Sequence, residues 1–232
     1  METWYNKLGF YNNPFSTKPA AYHDDVLGYE ETINEIIEKT SNGTIIGIFG
    51  EYGTGKTTIL KRLIREFGGR RNVIYLNCNK TSHIDFEKIV KKASNIFQRI
   101  FKIKKKNLIL MLDETQDFPL ELQENLYDYY KAKYFKTVIL VSKKEDLFIN
   151  GDITMEMLHN VYNLGKITNE QAIELIRKRI EGIDILNDEM IIKIFHKNKN
   201  PRAFLKNCEE VCRYSVEKEK DIDEDLVDLI LK

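Results

Sequence analysis

The chain has 232 residues, of which 42% are hydrophobic, 11% aromatic and 31% charged, an ordinary globular composition that excludes a disordered or fibrous chain. Lys and Arg number 36 against 36 Asp and Glu, so no overall field draws the protein to nucleic acid or to an anionic membrane, and any basic footprint is local. The longest purely apolar run, Leu108 to Leu112, is far too short to span a bilayer. Three cysteines and no cleavable apolar leader make a reducing, cytoplasmic setting without membrane association the expectation.

The first 28 residues are irregular and aromatic, with Trp4, Tyr5, Phe10, Tyr11, Phe15 and Tyr22 around Asn13-Pro14. They are expected to pack as an arm over the domain that follows. Ile33, Ile36 and Ile37 mark a helix. The apolar strand Thr44 to Phe49 comes next, then a helix with Ile59, Leu60, Leu63, Ile64 and Phe67 on one face, stopped by Gly68-Gly69. A second strand runs from about Asn72 to Asn77, a helix from about Ile84 to Phe101, a third strand from Leu108 to Leu112, a helix from about Leu120 to Lys133 and a fourth strand from Thr137 to Val141. Strands alternating with helices predict a parallel sheet covered on both faces.

After Gly165 the pattern turns to helices only. Thr168 with Gln171 reads as a capping box, Asn187 caps the face of Met190, Ile191, Ile194 and Phe195, Pro201 opens a helix after Asn200, and Leu226, Leu229 and Ile230 mark the last helix. The expected organisation is an aromatic arm over 1–28, an α/β core over 29–165 and a small all-α domain over 166–232. Cys208 and Cys212 stand i, i+4 beside Phe204, Leu205 and Val211 and read as small core residues. His23, His83, His159 and His196 are scattered, with no metal-ligand spacing.

Gly50-Glu51-Tyr52-Gly53-Thr54-Gly55-Lys56-Thr57 fits the G-x-x-x-x-G-K-[ST] phosphate loop, directly after a predicted strand and directly before a helix. Its glycines let backbone N–H groups turn around phosphates, and the N-terminus of the helix that carries Thr58 adds its positive end. Lys56 reaches the β- and γ-phosphates, while the Thr57 hydroxyl is a ligand for Mg²⁺. The run Leu108 to Leu112 then delivers two acids, Asp113 and Glu114, at the C-terminal edge of a buried strand, where open α/β sheets bind their ligands. Asp113 holds Mg²⁺ through water in this reading, and Glu114 polarises the water that attacks the γ-phosphate. The two motifs together predict a Mg·ATP or Mg·GTP site in an α/β P-loop NTPase.

On these residues the sequence resembles the AAA+ ATPases, in the branch that contains origin-recognition initiators and the ExeA/TniB-like ATPases, over most of the chain. Asp113-Glu114-Thr115-Gln116-Asp117 before the helix Leu120 to Tyr130, and Leu8-Gly9-Phe10 with Asn13-Pro14-Phe15, resemble the ExeA-like proteins. Leu27-Gly28-Tyr29-Glu30 resembles the segment that borders adenine, which implies ATP rather than GTP. Tyr75-Leu76-Asn77-Cys78 resembles initiators, which implies that Asn77 holds the catalytic Glu114 in an inactive pose. The resemblance also makes Ser142 the sensor 1 residue that orients the attacking water, Asn200-Pro201-Arg202 the sensor 2 signature that brings Arg202 to the γ-phosphate, and the all-α domain a lid.

AAA+ assemblies usually complete the site with an arginine from a neighbour, placed between sensor 1 and the lid. This chain has no Arg between Arg99 and Arg177; Lys143 and Lys144 are the cations just after Ser142, and Lys is a poorer bidentate clamp. A slow ATP switch, or a site whose arginine finger another protein supplies, is the expectation, with the oligomeric state open. Lys102, Lys104, Lys105 and Lys106, like Arg70 and Arg71, read more readily as solvated loops than as DNA contacts, and no helix-turn-helix length follows the lid. The leading function is an ATP-driven switch in a DNA transaction such as replication initiation, helicase loading or transposition, with DNA met through a local basic patch or a partner protein. An assembly or secretion ATPase acting on a protein partner, and a slow nucleotide-gated interaction module, are the alternatives.

Overall fold

A computed structural model describes residues 3–17, 29–68, 72–80, 84–94, 104–143, 153, 156, 160–165 and 167–231. Tyr22, His23, Leu27, Gly28, Arg70, Arg71, His83, Arg99, Lys102, Lys144 and His159, all invoked above, lie outside the described residues. The strands are β1 (Ile45–Gly50), β2 (Val73–Asn77), β3 (Leu108–Asp113), β4 (Phe135–Ser142) and β5 (Val161–Leu164). The helices are α1 (Trp4–Lys7), α2 (Glu30–Asn42), α3 (Lys56–Glu66), α4 (Phe86–Ala93), α5 (Leu120–Lys131), α6 (Asn169–Ile180), α7 (Asp188–Lys197), α8 (Pro201–Lys218) and α9 (Glu224–Ile230).

By its contacts the chain forms two compact units. One comprises Glu30–Tyr52 and Lys56–Leu164; the other comprises Met1–Tyr29, Gly53–Gly55 and Gly165–Lys232. In the first unit the five strands form one parallel sheet in the order β2-β3-β4-β1-β5. β3 and most of β1 are buried along their length, as parallel strands covered on both faces must be. Phe49, Phe86, Leu110, Leu112, Phe135 and Leu140 form the middle of this core. After β1 the chain steps three places to the edge strand β2 and returns through β3 and β4. That leaves β1 flanked by β4 and β5, and makes its C-terminal end the place where the winding reverses.

Two elements depart from the sequence-based expectation here. β5 is an additional strand, a four-residue edge pairing with β1 from Gly47↔Val161 to Gly50↔Leu164; Val-Tyr-Asn-Leu carries a polar residue and no apolar run long enough to announce it. The helix expected over Ile84 to Phe101 starts at Phe86 and runs to Ala93, begun by Asp85, whose carboxylate accepts from the Lys88 N–H at 2.9 Å, and the rest of that span, 95–101, lies outside the described residues.

In the second unit, helices α6 to α9 bury Ile176, Phe195, Phe204, Cys208 and Cys212. The N-terminal residues join this core and not that of the α/β unit that follows them. Trp4 stacks on Phe15 at 6.1 Å, and α1 adds a turn of helix where the sequence reads as irregular. Arg179, only 8% exposed, donates to the carbonyls of Pro14 at 3.1 Å and Ser16 at 3.0 Å, satisfying backbone acceptors that no ladder reaches. Asn13 donates to Glu209 at 2.7 Å. Among the described residues no helix is long and apolar enough to cross a membrane.

Candidate functional site

β1 ends at Gly50 and α3 begins at Lys56, so the phosphate-loop sequence is the connection that turns the chain from strand to helix. Gly53 and Gly55 adopt φ of +90° and +98°, where an L side chain is strained. A Cβ added at Gly55 would meet nothing within 4 Å, so the loop is open at the point where N–H groups of the α3 N-terminus are unpaired by the helix. Glu51 and Tyr52 are exposed, Thr54 is buried, and Thr57 and Thr58 are half-buried on the first turn of α3. Lys56 is 7% exposed, and its Nζ donates to the carbonyls of Gly50 at 2.6 Å and Glu51 at 2.9 Å. Burial lowers the pKa of this ammonium; Glu114, Asp113 and Glu51 oppose the shift, and exposed Lys143 adds to it.

Asp113 closes β3 and is 1% exposed. Thr57 Oγ1 donates to Asp113 Oδ2 at 3.1 Å, and the Tyr75 hydroxyl donates to the same oxygen at 2.9 Å. The Glu114 N–H bonds Asp113 Oδ1 at 3.0 Å. Glu114 itself sits in the left-handed region, φ 58° and ψ 53°, so the chain turns out of the strand there and the second acid departs from the pleat of the first. Asn77 lies opposite Asp113 in register, and its side chain acts to lower the Tyr75 pKa against the larger effect of burial. Ser142, fully buried, ends β4 opposite Phe49. The site residues named from sequence in this unit thus gather at the C-terminal edge of the sheet. Tyr75 was not among them, although strand alternation puts it on the face of Asn77, two residues on.

The residues present fit a magnesium nucleotide. Mg²⁺ takes oxygen ligands and is commonly held by one or two protein groups plus phosphates and water; the Thr57 hydroxyl and the Asp113 carboxylate supply such a pair. The open loop at Gly55 suits phosphate.

In the helical unit Asn200 caps α8, its Oδ1 accepting from the N–H of Arg202 at 3.1 Å and of Ala203 at 3.3 Å, with Pro201 at the first helical position. Gly53 belongs to this unit by its contacts, and a Cβ there would lie 2.5 Å from Asn200 Oδ1 and 2.9 Å from Arg202 Cβ. Only glycine at position 53 leaves room for the α8 cap. Tyr29, within the segment that the resemblance places beside adenine, donates to the Gly165 carbonyl at 2.8 Å, and burial raises its pKa. Two arginines of the helical unit are engaged: Arg177 donates twice to Asp188, at 2.9 and 2.7 Å, and Arg179 binds the carbonyls of Pro14 and Ser16.

The family model described as an AAA domain matches residues 42–168. Among solved structures, the Drosophila origin recognition complex ORC bound to DNA matches with a TM-score of 0.66 and 15% identity, over 99% of this chain and 64% of that one. Cdc6p from Pyrobaculum aerophilum matches with a TM-score of 0.66 and 13% identity, over 90% of this chain and 67% of that one. Domain III of the Thermotoga maritima replication initiation protein DnaA matches with a TM-score of 0.62 and 18% identity, over 95% of this chain and 96% of that one. No curated protein matches the sequence. At these identities the structural likeness speaks for the fold alone, an α/β P-loop NTPase fold. The family match takes in more than half of the chain, from before the phosphate loop to beyond β5, and on that ground the chain belongs to the AAA domain family of nucleotide-binding ATPases.

Proposed function

We propose that the chain is a Mg²⁺-dependent ATPase that serves as a nucleotide switch in a cytoplasmic DNA transaction, such as replication initiation, helicase loading or transposition. The observation that carries the ATPase reading is the Thr57–Asp113 hydrogen bond of 3.1 Å, because it joins the end of the phosphate loop to the acid that precedes Glu114. In this reading the loop N–H groups from Gly50 to Thr58 and the Lys56 ammonium hold the phosphates, and Thr57 and Asp113 hold Mg²⁺. Mg²⁺, when bound, neutralises charge on the β- and γ-phosphate oxygens. Glu114 accepts the proton of the attacking water, Ser142 orients that water, and Asn77 restrains Glu114. Arg202 supplies a charge-assisted bond to the γ-phosphate, with 29–165 as the nucleotide core and 166–232 as the lid.

The DNA reading is supported by the structural relatives, one of them solved bound to DNA and another a replication initiation protein. The ATPase rate of the purified chain, measured with and without single- and double-stranded DNA, tests it: stimulation by DNA is expected. Indifference would favour an assembly or secretion ATPase with a protein partner, and no turnover would favour a nucleotide-gated interaction module. The run from Arg99 to Arg177 without an arginine favours one addition, that a neighbouring protein or subunit supplies the arginine finger.

A further inference from the structure

At the sheet edge where β3 and β4 begin, two stretches of sequence about 30 residues apart meet. The Asn107 N–H bonds the Lys133 carbonyl, and the Leu108 N–H bonds the Tyr134 carbonyl, each at 3.0 Å. This pairing brings Lys104, Lys105 and Lys106 beside Lys131 and Lys133. The Lys105 N–H is held by Ser94 at 3.0 Å and its ammonium by Asn72 at 3.2 Å, so the stretch is anchored and not a free solvated loop.

The ammonium groups are held in an unusual way. Lys104 and Lys106 lie over the Tyr134 ring at 5.6 and 5.8 Å, Lys131 over Tyr127 at 5.5 Å and Lys133 over Tyr130 at 5.4 Å. Several other lysines pair with carboxylates instead: Lys88 with Asp85, Lys178 with Glu174, and Lys193 and Lys197 with Asp228. At this edge Glu87 is shared between Lys91 and Lys104, and Glu156 acts on Tyr130. Lys106, Lys131 and Lys133 have no carboxylate within ion-pair distance among the described residues, and all three are exposed. A ring face orders an ammonium without cancelling its charge. Part of the rotamer entropy that a lysine loses on meeting an anion is therefore already lost.

We propose that this lysine–tyrosine edge binds the phosphate backbone of nucleic acid, a proposal that rests on the DNA reading for the class of partner. The edge lies at the N-terminal ends of β3 and β4, one strand length of about 20 Å from Asp113. Nucleotide and nucleic acid then occupy opposite ends of the sheet and do not compete for a site.

The test is fluorescence anisotropy of labelled single- and double-stranded oligonucleotides across a salt series, with the variant Lys106→Gln/Lys131→Gln/Lys133→Gln. Each phosphate contact contributes about 0.9 to the salt slope on duplex DNA and about 0.7 on single strands. The expected slope on duplex is therefore shallower by about 2.7, so that between 50 and 200 mM salt the variant loses about fortyfold less affinity than the parent. Labelled-nucleotide affinity is expected to be unchanged, which also reports that the variant is folded. Tyr134→Leu keeps every charge and is expected to weaken binding severalfold without changing the slope. Equal DNA affinity and slope in parent and triple variant would overturn the surface while leaving the DNA reading standing. If the parent neither binds DNA nor responds to it in ATPase rate, both fall; loss of binding to phosphatidylserine vesicles with DNA binding untouched would assign the edge to a membrane and overturn the proposal.

Discussion

The Tyr75 hydroxyl stands 2.9 Å from Asp113 Oδ2, the oxygen that also accepts from Thr57. Burial is the largest cause that raises the Tyr75 pKa to about 12, with the Asp113 charge next, so the phenol keeps the proton it donates. Tyr75 is a positioning residue in this arrangement, fixing the carboxylate that Thr57 approaches. Tyr75→Phe should weaken Mg²⁺-dependent nucleotide binding by about tenfold, the value of a hydrogen bond to a charged group of about 1.5 kcal/mol. Metal-free nucleotide binding should not change. Calorimetric titration with and without Mg²⁺ separates the two, and an equal loss in both would show that Tyr75 acts only through general packing.

Lys56→Ala should remove most nucleotide affinity, because the phosphates lose the ammonium now lodged among the Gly50 and Glu51 carbonyls. Glu114→Gln should keep ATP bound and stop its hydrolysis. Calorimetry for binding and phosphate release for turnover decide the pair; a Glu114→Gln protein that hydrolyses at the parental rate would exclude Glu114 as the base.

Arg202→Ala should bring the affinities for ATP and ADP together, because a bond to the γ-phosphate is the source of the difference between them. An unchanged ratio would remove Arg202 from the site.

Gly53→Ala and Gly55→Ala make a matched pair. Both impose positive φ on alanine, at +90° and +98°, costing about 1–2 kcal/mol each. Only the first drives a Cβ into the Asn200 cap, and losing that cap adds about 1 kcal/mol. Denaturant unfolding of the nucleotide-free protein should therefore find Gly53→Ala the less stable of the two, and equal losses would mean that the cap shifts without cost.

The isolated chain should hydrolyse ATP slowly, below about 1 s⁻¹, since Arg177 and Arg179 are both engaged within the helical unit. Loss of an arginine finger costs about 10³–10⁵ in rate where one is used. Turnover rising steeply with self-association would contradict this and give the finger to a second copy of the chain, with Lys143 as a candidate cation.

The phosphate loop was legible because its chemistry lies in eight consecutive residues between a strand and a helix. Asp113 and Glu114 were legible because a short apolar run between two helical patterns reads as a buried strand, whose end is a defined place in an α/β sheet. Tyr75 was not, since its role depends on β2 lying beside β3 with Asn77 opposite Asp113, and register is a tertiary fact. The aromatic N-terminus declared that it must be buried, but hydrophobicity has no direction and did not say that Trp4 and Phe15 would join α6 to α8. The lysines at 104–106 read as a solvated loop, and Lys131 and Lys133 as the end of a helix, until backbone pairing at Asn107 and Lys133 placed them on one edge.

The clasp formed by Arg179 on Pro14 and Ser16 puts both termini of the chain in one unit. Tension applied between the two ends would therefore run through that clasp and bypass the sheet. In an optical trap the first extension should come from peeling residues 3–17 off the helices, and only then should the load reach β1 and the loop that follows it. Arg179→Met should lower the force of that first event and leave the later one unchanged.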